Sequence, residues 1–265
     1  MASQALPVRG ARLGRQLTSG PVPAGFVPAA RRESYDTVRA AVLLLPGGDA
    51  LSTRRRSPLA VAAMLPLGRR LVRAGRGEGI AAHVVHYRFR GWNGGHAHPA
   101  QDASWAVDEV VRRYGDIPVC LVGMDMGGRA ALRAAGHAAV SSVVAIAPWL
   151  PAGTEPDPVR QLIGRQALIV HGTNDRDTDP ELSYRLAERA KKVNRDVCRF
   201  EVHTDGHDLQ DHRSEVAALT ADFVLGTLLG RALARPVADA LAAPPPLGLR
   251  MPLAVGFGRT SGLHH

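Results

Sequence analysis

The sequence predicts an α/β protein, a mostly parallel sheet covered by helices on both faces. Two observations carry this. Short, nearly continuous apolar runs rich in Val, Ile and Leu recur along the chain, as strands buried on both sides require. Between them lie stretches with helical periodicity, ten or more residues long, enough to cross from one parallel strand to the next.

Residues 1–35, rich in Pro, Gly, Ala and Arg without a period, read as a flexible arm. Ala40–Leu45 is a continuous apolar strand that Pro46-Gly47-Gly48 ends. Ser57 and Pro58 open a helix to about residue 73, the hydroxyl as cap and the proline at the first helical position. Residues 80–87 form the next strand, and a Gly-rich loop covers 88–96. Over 99–113 the spacing puts Ala103, Ala106, Val107, Val110 and Val111 on one helical face. A strand at 118–124 runs straight into a helix at 126–135. Strands at 140–147 and 166–171 follow, joined by a short polar connection. A helix at 180–193, a strand at 196–203 and a helix at 211–229 complete the pattern. From Arg235 the chain turns Ala/Pro-rich, with Pro244-Pro245-Pro246. The expected organisation is an arm at 1–35, one α/β domain at 36–232 and a tail at 233–265.

Composition bounds the function. The 265 residues are 45% hydrophobic, an ordinary globular balance with room for a sizeable core. The net charge of +9 comes almost wholly from arginine, the only lysines being Lys191 and Lys192. These arginines are scattered with few aromatics among them and no nucleic-acid module, so no nucleic-acid partner is expected. An anionic substrate stays open. No apolar run approaches the roughly 20 residues that cross a bilayer, and the N-terminal stretch has no apolar core of a signal peptide. Cys120 and Cys198 both fall in strands and read as small buried hydrophobes, which fits a reducing, cytoplasmic setting. His96 with His98, and His203 with His207 and His212, lack the Cys or paired carboxylates of a metal site. No Gly-rich phosphate fingerprint is present, so neither metal nor cofactor is expected.

The chemistry centres on Gly123-Met124-Asp125-Met126-Gly127-Gly128. A strand that turns directly into a helix forces its central residue into a strained conformation and leaves no room beside it, hence the glycines. The central side chain then projects over the helix N-terminus. Here the chain resembles the α/β-hydrolase superfamily, with Asp125 where most members carry Ser. The short connection after residue 147 leaves no room for a cap domain, so the resemblance is to the capless, esterase- or dienelactone-hydrolase-like branch.

The resemblance implies a nucleophile, an acid and a histidine in that chain order. Asp175, in His171-Gly172-Thr173-Asn174-Asp175, matches the acid turn, with Asp177 and Asp179 as rivals. His207, in Asp205-Gly206-His207, matches the base, with His203 and His212 as neighbours. The amides of Met126 and Gly48 are the expected oxyanion donors. A carboxylate at the elbow needs no base to attack an sp³ carbon, giving an alkyl ester that His207 then helps water to cleave. Dehalogenases and epoxide hydrolases, which also carry Asp there, hold halide with a Trp after the elbow or protonate with cap tyrosines; this chain has Met126 and no cap. Tyr87 lies at a strand end within reach of the site, Trp92 and Trp149 are further candidates to reach it, and packing at the rim is the commoner role for such aromatics. The expectation is hydrolysis of a small organic molecule. The alternatives are attack on an acyl carbon, a cyclase or lyase using Asp125 as general base, and a silent binding or scaffold protein of the same fold.

Overall fold

The structure is a computed structural model, and it describes residues 9–18, 37–153 and 156–258. Its strands are β1 (Arg12–Leu13), β2 (Ala40–Leu45), β3 (Ile80–His86), β4 (Val119–Met124), β5 (Val140–Ile146), β6 (Gln166–Gly172), β7 (Val197–Val202) and β8 (Met251–Pro252). They form one sheet in the order β1-β3-β2-β4-β5-β6-β7-β8. Only β1 is antiparallel to its neighbour. The helices are α1 (Pro58–Ala74), α2 (His98–Tyr114), α3 (Met126–Ala134), α4 (Pro180–Val193), α5 (Arg213–Leu229) and α6 (Arg235–Ala242).

Alternation along the strands sorts the core into two layers. Ala41, Leu43, Leu121, Val143 and Ile169 face α2, α3 and α4. Val42, Leu44, Val122, Val144 and Val170 face α1, α5 and α6. The expected helix cap holds: the Ser57 hydroxyl oxygen accepts from the Ala60 amide at 3.3 Å. Strand order reverses around β2, which lies between β3 and β4. In open sheets of this kind ligands bind beyond the strand ends at such a reversal. Gly48, after β2, and Asp125, after β4, both sit there.

Two segments depart from the sequence reading. Within the stretch expected to be a flexible arm, Arg12 and Leu13 pair with His86 and Val85 of β3. The ladder continues as Gly14 and Leu17 donate to Val84 and Ala82. Leu17 settles onto α1 at Gly68, where a Cβ would come within 2.4 Å of it. The remaining residues of that arm lie outside the described ones. The expected tail is built into the fold as well. Helix α5 buries residues on more than one side, including Leu219, Phe223, Val224 and Thr220. A helix apolar around its circumference must be covered. Residues 251–258 supply part of that cover, with Gly256 donating to Glu215 and Gly258 close against Ala218. The period of this segment is too short to register as a strand or helix in sequence; its burial is a tertiary effect.

Lys191 anchors the other half of the tail. Its side chain is fully buried, and Nζ donates to the carbonyls of Val197, at 2.7 Å, and Ala240, at 2.8 Å. The ammonium therefore sits at the C-terminal, negative end of α6. Burial holds its pKa below the ordinary lysine value. Lys191→Met should leave these carbonyls without a donor and destabilise the protein by roughly 2–4 kcal/mol, read as a lower urea midpoint; the exposed neighbour change Lys192→Met should move it little.

Candidate active site

The elbow is as tight as its glycines imply. Asp125 has φ 51° and ψ −121°, a left-handed conformation that costs a non-glycine residue about 1–3 kcal/mol. Surrounding hydrogen bonds fix it there: its amide donates to Ile146 at 2.9 Å, and its carbonyl accepts from Gly128 at 3.0 Å and Trp149 at 3.1 Å. A Cβ on Gly127 would fall 2.0 Å from the Leu45 carbonyl oxygen, and one on Gly123 would fall 2.0 Å from that of Gly127.

The side chain of Asp125 faces two groups from distant parts of the chain. Its Oδ2 accepts from the Gly48 amide at 3.2 Å. A Cβ on Gly48 would meet the Arg90 carbonyl at 2.3 Å, so glycine is what lets this loop pass. An ion pair of Asp49 with Arg90, 2.9 Å, ties the loop down. On the other side, Oδ1 lies 3.9 Å from His207 Nε2. Burial raises the Asp125 pKa; the Met126 amide, His207 and the Gly48 amide oppose that rise.

His207 turns its other nitrogen to Asp175, with Nδ1 2.9 Å from Oδ2. Burial by itself would lower the His207 pKa, but the Asp175 hydrogen bond and the charges of Asp175, Asp125 and Asp177 outweigh it and leave the pKa raised above 6.5. Asp175 is a hub. Its Oδ1 accepts from the Asp177 and Thr178 amides, each at 2.9 Å, and its Oδ2 accepts from the Thr178 hydroxyl at 2.7 Å. His171, fully buried, brings Nε2 to 3.1 Å from the same oxygen, and a carboxylate can only accept there. Burial pushes the Asp175 pKa up, yet donors from His171, Thr178 and His207 prevail and hold it well below the carboxylate range.

The rivals have other occupations. Asp179 caps α4, accepting from Glu181 at 2.9 Å. His212 is held by Asp205 at 3.1 Å, and His203 is exposed. Asp177 stands beside His207, and its carboxylate, that of Asp175 and a His207 nitrogen lie within 4.8 Å of one another. A cation bound there would compete for the His207–Asp175 hydrogen bond.

Sequence reasoning did not find His171 and Thr178, which complete the shell of Asp175. Their signal was a histidine four residues before the acid across Gly172, and a hydroxyl three residues after it. Nor did it find the use of Arg129. This side chain lies one turn beyond the elbow, with its guanidinium carbon 4.0 Å from the Trp92 ring centre and 4.9 Å from that of Trp149. Asp157 accepts from it at 2.8 and 3.2 Å. The two indoles are therefore packed on a paired cation. Tyr87, at the end of β3, has a buried hydroxyl with no hydrogen-bond partner among the described residues.

No family model and no curated protein matches the sequence. Solved structures do match in shape. An esterase from Pyrococcus furiosus is 16% identical, with a TM-score of 0.57 over 73% of this chain and 82% of its own. A monoacylglycerol lipase from Paleococcus ferrophilus is 17% identical, with a TM-score of 0.51 over 73% of this chain and 97% of its own. Est1E from Butyrivibrio proteoclasticus is 14% identical, with a TM-score of 0.51 over 73% and 90%. The sheet order, the elbow and these likenesses together give the chain the α/β-hydrolase fold.

Proposed function

We propose that the protein hydrolyses a small organic substrate through a covalent ester on Asp125, with His207 as base, Asp175 as its orienting acid, and the Gly48 and Met126 amides as oxyanion donors. One observation supports this above the others. The amide that would receive a substrate carbonyl in an acyl-transfer enzyme is taken by Asp125's own Oδ2. A substrate carbonyl would have to displace it. An alkyl carbon would not.

The reaction follows from that arrangement. Asp125 Oδ1 forms a bond to an sp³ carbon, whose leaving group departs with the electron pair. The ester carbonyl is then Oδ2, already against the Gly48 amide. His207 Nε2 takes a proton from water as its oxygen adds to Cγ, and the charge developing on Oδ2 is met by preorganised N–H donors. Collapse expels the alkoxide, which recovers the proton from His207. The water oxygen stays in the Asp125 carboxyl, whose remaining proton leaves to solvent as the carboxylate re-forms.

The test is a single turnover in H₂¹⁸O with a panel of alkyl halides, epoxides and activated esters, followed by mass analysis of the peptide holding residue 125. Label in Asp125 is the expected result. Turnover without label would assign Asp125 to base catalysis, and binding without turnover would leave a ligand-binding protein.

The His207 environment sets the pH dependence. A base must be neutral, and this imidazole's pKa is raised above 6.5. Ester cleavage should therefore climb with pH through a value above 6.5 and fall away in acid. With Asp175→Asn the main raising influence is gone and burial dominates, so the limb should move to lower pH; a stopped-flow pH profile of the second step checks both.

A further inference from the structure

Beside the site, on the other side of the His207 loop, the surface opens into a trough of about 870 Å³ between α1 and α5. Asp125, His207 and Asp175 do not line it. Its floor is apolar: Leu67, Met124, Ile146, Leu209 and Val216. Met124 directly precedes the elbow residue, and the wall at 208–211 directly follows His207. Leu209 holds a left-handed φ of 49° while its side chain is buried to 2% exposure. The loop keeps that shape because Asp205 Oδ2 takes both the amide and Nδ1 of His212, each at 3.1 Å.

One wall is the exposed face of α1. Ala62, Ala63 and Pro66 line it at helical spacing and are themselves exposed, leaving smooth apolar surface where a solvated helix face is expected. The same face continues into Arg70 and Arg73, and Arg213 stands opposite at the start of α5. None of these three guanidiniums has an ion pair or side-chain hydrogen bond with a described residue, whereas Arg88, Arg90, Arg129, Arg199 and Arg250 all do. Asp208 and Asp211 also reach the rim, and Asp208 Oδ2 accepts from the Gln210 side-chain Nε2 at 3.1 Å. The trough thus joins a hydrocarbon-lined floor to a rim of three arginines without a side-chain partner among the described residues and two carboxylates, at a volume suited to one small ligand.

We propose that this trough binds a single-chain anionic amphiphile, alkyl chain on the floor and head group on Arg70, Arg73 and Arg213. The concave floor between two helices favours one chain over a flat bilayer surface. The inference goes beyond the proposed reaction and stands whether or not Asp125 forms an ester.

The test is isothermal titration calorimetry with sodium decanoate and its uncharged counterpart decan-1-ol, using the full chain. Decanoate should bind more tightly. Arg70→Gln with Arg213→Gln should weaken decanoate roughly fivefold, the scale of an exposed ion-pair contact, and leave decan-1-ol unchanged. Ala63→Trp, at an exposed helical position, should abolish binding of both while circular dichroism stays that of the parent. Absence of decanoate binding overturns the proposal, as does binding indifferent to Ala63→Trp. Flotation with phosphatidylglycerol vesicles separates the remaining source: association with vesicles but no binding of monomeric decanoate would make this a membrane-facing surface and sink the small-ligand reading.

Discussion

In His207→Asn, the ester on Asp125 should form and then persist. The first half of the proposed reaction needs only the carboxylate, a leaving group and the two amides. The second half needs a proton taken from water, and the imidazole of His207, 3.9 Å from Asp125, is the group placed to take it. Loss of general-base help slows such a step by about 10²–10⁴-fold. Intact-mass spectrometry of the variant after exposure to the electrophile panel should therefore show a retained mass increase, absent or fleeting in the parent protein. Peptide mapping should place it on residue 125. If compounds that the parent turns over leave no adduct on the variant, the covalent route is wrong. The distance favours a clean experiment. At 3.9 Å, His207 Nε2 makes no direct hydrogen bond to Asp125, so removing the imidazole costs the carboxylate a charged neighbour but none of its hydrogen bonds.

Asp175→Ala should damage stability and activity together. Two amides, the Thr178 hydroxyl and the rings of His171 and His207 converge on this one carboxylate. Truncation would bury several donors without an acceptor, and at about 1–3 kcal/mol for each orphaned group the loss should reach at least about 3 kcal/mol. Rates should drop on the order of 10³-fold, because the imidazole loses both its orientation and the charge that stabilises its protonated form. The isosteric Asp175→Asn keeps volume and separates the effects: much of the stability should return, and little of the rate. Acid should mimic the change. The folded pKa of Asp175 lies below its unfolded value of 3.8, so its contribution is complete above about pH 4 and is lost as pH falls toward the folded pKa. Urea midpoints of parent and Asp175→Asn should thus converge in strong acid. A gap that stays constant from neutral pH downward would refute the hub.

How much of this was legible in the chain depends on the range of the interaction. The elbow was readable because its constraint is steric and local: Gly123 and Gly127 are required by atoms a few residues away or on the adjacent strand. The helix at Pro58 was readable from a cap three residues from its partner. Asp175 stood out from Asp177 and Asp179 through its distance from the strand end. What stayed hidden was long-range. Arg129 finds Asp157 across 28 residues, and Lys191 finds Ala240 across 49. Neither pair has a spacing that sequence periodicity can register. The packing of the C-terminal segment, which reads only as an Ala/Pro-rich tail, stayed hidden for the same reason. Its alanines and prolines carry little signal alone, and its burial is dictated by distant partners: α5 for residues 251–258, β7 and Lys191 for α6.

The two-residue strands at either margin of the sheet have a consequence for the molecule among its own copies. A long bare outer strand presents a row of free amides and carbonyls to any passing chain. Here β3 is faced by residues 12–17 and β7 by Met251 and Pro252. The proline has no amide to offer, and so brief a ladder gives an incoming strand little purchase. Residues 12–17 and 251–252 thus act as edge guards, and removing either would open β3 or β7 as a template for intermolecular growth.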